Sequence, residues 1–269
     1  MLVIRSMTCN DTCGPNPGTT ILSDGRALWM VEGPDGASLV VRRLTSAGLQ
    51  RVRDAIKETG LLEADGSYGV TQKPGKEAPG HGTTSHLLRT VRDDRTVTVS
   101  TDDPGSFVAD NKLFGDVWAI PAQTYVLSDL ADKLSDPVAW LPADAWADAQ
   151  RPYEADAYLV VVTAERSGEL PPFVDADVVR WPLPSSIDRI GQPFAERGTL
   201  VANSRCLPVT WGLAVALAAA EHAVGYERSI VAPYTELAYA WKRGPGSIGV
   251  ALRQLLPDQP VTCLDGGAW

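Results

Sequence analysis

The chain has little histidine, little basic charge and no long apolar run, and each shortage removes a class of activity. Its three histidines, His81, His86 and His222, leave few groups that could move protons or bind a transition metal near neutral pH. His81 and His86 stand five residues apart, on opposite faces of a strand, and share a metal only if a loop folds back; otherwise they are surface or edge side chains. His222 reads as a histidine at the C-terminal end of an apolar helix, interacting with its dipole. No metal and no cofactor is implied.

Lysine and arginine number 24 against 33 aspartates and glutamates, a net charge of -9 with an estimated pI of 4.8. Such a surface repels phosphate backbones and anionic membranes, so nucleic acid is excluded as the expected partner. No stretch reaches the roughly 18 apolar residues that a transmembrane helix needs; the longest, Trp211 to Ala220, soon meets Glu221 and His222. No transmembrane segment is expected.

The signatures GxxxxGK[ST], G-x-S-x-G, HExxH and the EF-hand series are also missing, which removes the usual marks of phosphoryl transfer, α/β-hydrolase, zincin and calcium-sensor chemistry. Gly244 to Gly249 matches GxGxxG by letter. A dinucleotide site needs a full helix after it and an acid about 20 residues on, but Pro257 arrives first, so the segment reads as a Gly-rich turn.

What is present is enough apolar material, 44% of 269 residues, to build a real core. Four cysteines stand as a close pair, Cys9 and Cys13, and a distant pair, Cys206 and Cys263, an arrangement that looks like two staples. Paired, Cys206 and Cys263 close a loop of 57 residues, worth about 4 kcal/mol in the chain-entropy model. Four buried reduced thiols are the alternative, and only Cys9-x3-Cys13 approaches a zinc-type spacing. The N-terminus lacks a signal-peptide apolar core, which fits either a cytosolic protein or an exported one read after leader removal. The cysteines favour the exported reading: secreted, periplasmic or cell-surface.

The turn chemistry outlines the N-terminal half. Thr19 to Leu22 and Ala27 to Glu32 read as strands joined by the tight turn Ser23-Asp24-Gly25-Arg26, and a strand from Ser38 to Arg43 follows the turn Gly33 to Gly36. Leu44-Thr45-Ser46 then caps a helix with Leu49, Val52 and Ile56 on one face and a stop at Gly60. Gly66 to Gly82 reads as an exposed loop. Thr83 to Val91 and Thr96 to Thr101 alternate around Arg92-Asp93-Asp94-Arg95, and Tyr125 to Leu134 is helical. Sheet then helix occurs twice.

Composition shifts between Pro137 and Pro152, which places an N-terminal α+β domain over 1–150 and a C-terminal one over 151–269. In the latter, Ala157 to Thr163, Asp177 to Trp181 and Thr199 to Val209 read as strands, and Ser186 to Ile190 as a short helix. Trp211 to Val224 reads as an Ala-rich helix packed on both sides, while Ser247 to Leu256 fits a strand or a helix. The fold class is α+β: antiparallel hairpin-plus-helix units, then a mixed α/β half closed by a disulfide.

Two feature sets could carry function. The carboxylate groups Asp93-Asp94, Asp102-Asp103 and Asp175-x-Asp177 could supply an acid pair for glycoside hydrolysis or hold a loop calcium ion, although Asp-Asp before Pro104-Gly105 is ordinary turn chemistry. Eight tryptophans outnumber four phenylalanines, and Trp118, Trp140, Trp146 and Trp181 lie beside Pro, Ala or Asp, where an indole can cap a core edge or form a binding platform.

The hairpin around Ser23-Asp24-Gly25-Arg26, the helix from Arg43-Leu44-Thr45 to Glu58-Thr59-Gly60-Leu61-Leu62, Trp181-Pro182-Leu183, Cys206, Leu255-Leu256-Pro257-Asp258 and Cys263 together resemble uncharacterised bacterial secreted proteins and lipoproteins. The resemblance spans most of the chain. It implies export and a Cys206–Cys263 bridge, and no catalytic residue; the sequence departs from the pattern in showing neither leader nor lipobox and in carrying the Cys9–Cys13 pair. The expectation is a non-catalytic extracytoplasmic binding or accessory protein with a protein partner in the cell envelope, its surfaces being the connection from Trp118 to Trp146, with Trp118, Trp140 and Trp146, and the Gly/Pro/Lys loop from Gly66 to Gly82. The alternatives are a cell-envelope hydrolase with an Asp/Glu pair and a cytosolic protein.

Overall fold

The computed structural model describes residues 1–10, 18–33, 36–78, 84–92, 94–164, 191–196, 199–222, 234–235, 241–243, 246–259 and 261–263. Cys13, His81, Asp93, the expected strand Asp177 to Trp181 and the expected helix Ser186 to Ile190 lie outside them. The architecture is α+β. The chain divides into two compact units, Met1–Val31 with Val40–Pro152, and Glu32–Leu39 with Tyr153–Trp269.

The first unit is built on one eight-stranded sheet, apart from Glu32–Leu39, which groups with the second unit. Its strands are β1 (Leu2–Asn10), β2 (Thr19–Leu22), β3 (Arg26–Gly33), β4 (Gly36–Arg43), β5 (Gly66–Tyr68), β7 (Thr84–Arg92), β8 (Arg95–Asp102) and β10 (Arg151–Pro152). The order is β10-β4-β3-β2-β1-β7-β8-β5, so both hairpins feed one sheet, with β5 added parallel to β8. The short strands β6 (Thr71–Gln72) and β9 (Trp118–Ala119) form a separate pair. The stretch expected as a plain loop from Gly66 therefore contributes two strands. The Val70 amide is held by the Asp102 carboxylate at 2.7 Å, which ties the segment to β8.

β1 is central although nothing in the sequence announces it. Leu2, Ile4, Arg5, Ser6, Met7 and Cys9 are all buried, so the strand shows no alternation to read. The Arg5 Nε donates to Thr20 Oγ1 at 2.9 Å.

Helices α1 (Ser46–Thr59), α2 (Pro104–Phe114), α3 (Ala122–Ser135) and α4 (Pro137–Trp140) belong to the same unit. α1 starts where Thr45 Oγ1 accepts from the Gly48 amide and ends at Gly60, which takes the left-handed φ of 64°. Its buried residues include Leu49 and Val52; α3 buries Leu127, Leu130, Ala131 and Leu134 in the same core cluster as Ile4, Ile21, Leu88 and Val99. Gly48 is needed because Ala145 crosses close by: a Cβ there would sit 2.3 Å from the Ala145 carbonyl oxygen.

The second unit holds β11 (Ala157–Ala164), β12 (Gln192–Glu196), β13 (Thr199–Thr210), α5 (Trp211–His222), β14 (Tyr234–Thr235), β15 (Trp241–Arg243) and β16 (Gly246–Gln254). The strand order is β12-β13-β11-β16-β14, with β15 also on β16. The last element is thus a strand: Val160 faces Leu252 and Val162 faces Val250 across β11, and Gly246 and Gly249 weigh against a helix. α5 forms as expected but is not enclosed. Ala214 is buried, whereas Trp211, Leu213 and Val215 are exposed. Cys206 and Cys263 form a disulfide with Cα atoms 5.6 Å apart, buried beside Leu159, Phe194 and Leu255. Cys9 is also buried and disulfide-bonded.

Candidate functional site

The tryptophans expected to form a platform occupy three different settings. Trp146 is core: it is 8% exposed, its ring lies 5.8 Å from that of Trp29, and the Arg42 guanidinium stands 4.6 Å above it. Trp140, at the end of α4, packs half-buried against the same cluster. Trp118, on β9, is half-buried and fixed on every side. Its indole donates to Asp110 Oδ2 at 3.0 Å, its amide and carbonyl bond the Asn111 side chain, and Phe107 meets its ring edge-on at 5.1 Å.

The segment carrying them nevertheless presents an apolar surface made of other side chains. α2 opens with Asp103 accepting from the Gly105 amide at 2.8 Å and Pro104 in the first turn, and it ends at Gly115 with φ 80°. Its buried anchors are Pro104 and Phe107, near its start, so the last turn projects Leu113, 75% exposed, and Phe114, 55% exposed. α3 touches α2 and exposes Tyr125 and Val126 in its opening turns; α4 exposes Val138. The sequence signal was the apolar pair Leu113-Phe114 between Lys112 and Gly115, which the tryptophans overshadow.

The same segment concentrates acid. Residues 102 to 148 contain nine aspartates and no glutamate, against Lys112 and Lys133 alone, which accounts for seven of the chain's nine net negative charges. Some of these carboxylates have cationic neighbours: Asp129 pairs with Lys133 at 2.6 Å, Asp144 with Arg51 at 2.9 Å, and Asp116 with Lys73. Hydrogen bonds from Lys73 and Arg51 lower the pKa of Asp116 and Asp144, so both stay ionised.

Two interior features complete the inventory. A groove of about 310 Å³ runs between α1 and the sheet, walled by Leu2, Val3, Ile56, Leu62 and Val91, with Arg53 and Lys57 on its rim. Glu63 is the one carboxylate among its described lining residues. His86 is not a surface or edge histidine. It lies on β7 between β1 and β8 and is only 5% exposed. Its Nδ1 is 3.3 Å from Thr8 Oγ1, while its Nε2 has no hydrogen-bond partner among the described residues. Desolvation lowers its pKa, against the opposing pull of Asp103 and Asp132. Among the described residues no three His, Cys, Asp or Glu side chains are grouped to hold a metal ion, and no helix is long and apolar enough to cross a membrane.

Comparison with known proteins finds no matching family model, no similar curated protein and no similar solved structure.

Proposed function

We propose that the protein is a non-catalytic binding or accessory component of the cell envelope whose docking surface is the α2–β9–α3–α4 segment. The observation that carries the reading is the set of exposed large apolar side chains, Leu113, Phe114, Tyr125, Val126 and Val138, within one short stretch of one unit. Patches of this kind mark sites of interaction, whereas singly scattered apolar side chains do not. Trp118, Trp140 and Trp146 serve the surface from beneath: they stiffen the segment through Phe107, Asp110 and the core. The disulfides support an oxidising location, since such bonds persist outside the reducing cytosol.

The test places a photo-crosslinking amino acid at Phe114 or Tyr125, and as a control at Arg53 on α1, in cells that express the protein. One discrete adduct from the first two positions and none from the third is the expected result, with its yield falling when Leu113 is changed to Ser. Equal adducts from all three positions, or none from any, contradict the reading.

A further inference from the structure

We infer that the partner segment received by this face is a basic amphipathic helix, with aliphatic or aromatic side chains on one side and lysine or arginine flanking them. The inference rests on the docking role proposed for α2–α4 and adds the chemistry of the occupant.

The geometry of α3 supplies the first argument. Tyr125 and Val126 are exposed in its opening turns, and Asp129 and Asp132 are exposed one and two turns further along the same outer side. An apolar spot therefore passes directly into an acidic strip. Along α3 alone, Tyr125 to Asp132 cover roughly 10 Å at helical rise, which a partner helix of about two turns spans. Such a partner engages through apolar residues at i, i+3 or i+4, and i+7.

Charge supplies the second. With Lys112 and Lys133 the only cations between residues 102 and 148, and with Lys73 and Arg51 taken up by Asp116 and Asp144, the stretch keeps an acid excess that repels an acidic segment and attracts a basic one. Asp132 has no cationic partner among the described residues, and Asp129 has only the exposed Lys133 four residues on. Charges at such a rim steer association and reject wrong partners, while the apolar centre supplies affinity. α1, by contrast, carries Arg51, Arg53 and Lys57 beside Asp54 and Glu58, and its outer side would not discriminate in this way.

The experiment titrates the full chain with four synthetic peptides by fluorescence anisotropy: a Leu/Lys amphipathic helix, its Leu/Glu twin, a neutral Leu/Gln twin, and a scrambled Leu/Lys peptide without an apolar face. The expected result is that the Leu/Lys helix binds best. Its affinity falls about tenfold or more in Leu113→Ser/Phe114→Ser. It also falls in Asp129→Asn/Asp132→Asn and on raising salt from about 50 to about 500 mM, where screening is strong. Both variants change exposed side chains, and circular dichroism confirms that each is folded. If the neutral twin binds as tightly and Asp129→Asn/Asp132→Asn has no effect, the basic partner is overturned while the docking reading stands. If the scrambled peptide binds equally well, attraction is by bulk charge and the inference is overturned. If none of the four binds, both readings fall.

Discussion

α1 and the α2–α3 pair belong to one unit and contribute to its core, but they finish their outer sides in opposite ways. On α1 the exposed positions Ser46, Gln50, Arg51, Arg53, Asp54, Lys57 and Glu58 are polar or charged and only the small Ala47 is apolar, the ordinary outcome for a helix laid on a sheet. On α2 and α3 the exposed positions include Leu113, Phe114, Tyr125 and Val126. The inner sides do not differ in kind: Val52 of α1 and Leu127 of α3 are both fully buried in the same cluster. The fold therefore does not require the apolar outer side of α2–α3, because α1 is held without one. That difference separates what builds the unit from what the unit presents.

The largest expected effect tests the shared inner sides. Leu127→Ala is expected to destabilise by about 2–5 kcal/mol in urea unfolding, with Val52→Ala smaller but in the same direction. A loss below about 1 kcal/mol for Leu127→Ala would mean that α3 is not anchored like α1, and the comparison would break.

Next is Gly48→Ala on α1. Alanine ordinarily favours a helix interior by about 1 kcal/mol. Here a Cβ meets the Ala145 oxygen at 2.3 Å, so a net loss of about 1–3 kcal/mol is expected instead. A gain in melting temperature would show that α1 has room beside Ala145 and is not fixed by that contact.

The pH dependence comes third and involves Asp132 of α3. Burial lowers the His86 pKa below its ordinary 6.5, so the unfolded chain takes up the proton more readily than the folded one. His86 then supports the fold fully above about pH 6.5, and this support is lost as pH falls through that value toward the lowered folded pKa. Unfolding of wild type and His86→Gln between pH 7.5 and pH 5 should show a steeper loss in wild type; parallel curves would remove His86 from the account.

The smallest effect is the most telling for the outer side. Phe114→Ser should change stability by no more than about 0.5 kcal/mol, since the ring is 55% exposed. A loss of several kcal/mol would mean that Phe114 is a structural side chain and that the two outer sides do not differ in role.

Much of the fold was legible where local chemistry sets it. Asp24-Gly25 made the β2–β3 turn, Thr45 and Gly60 bounded α1, and β7 and β8 alternated clearly around their turn. β1 was hidden because burial on both sides erases alternation. α2 was hidden because Asp103-Pro104-Gly105, read as a turn, is the cap and first turn of a helix, two roles that share the same residues. β16 was undecided because its apolar spacing suited both periods, and the pairing with β11 that settles it is long-range. Of the site, the segment from Trp118 to Trp146 was legible as an unusual region. The side chains that surface there were not, because whether an indole caps a core or faces solvent depends on partners such as Trp29 and Phe107 that are distant in sequence or on another element.

The most direct test of the docking surface is a titration of ¹⁵N-labelled protein with the Leu/Lys amphipathic peptide, followed by backbone amide shifts. Shifts concentrated on Leu113, Phe114, Tyr125, Val126 and Val138, with the amides of α1 unmoved, are the predicted result. Shifts that fall on α1, or that spread evenly over the chain, would contradict it.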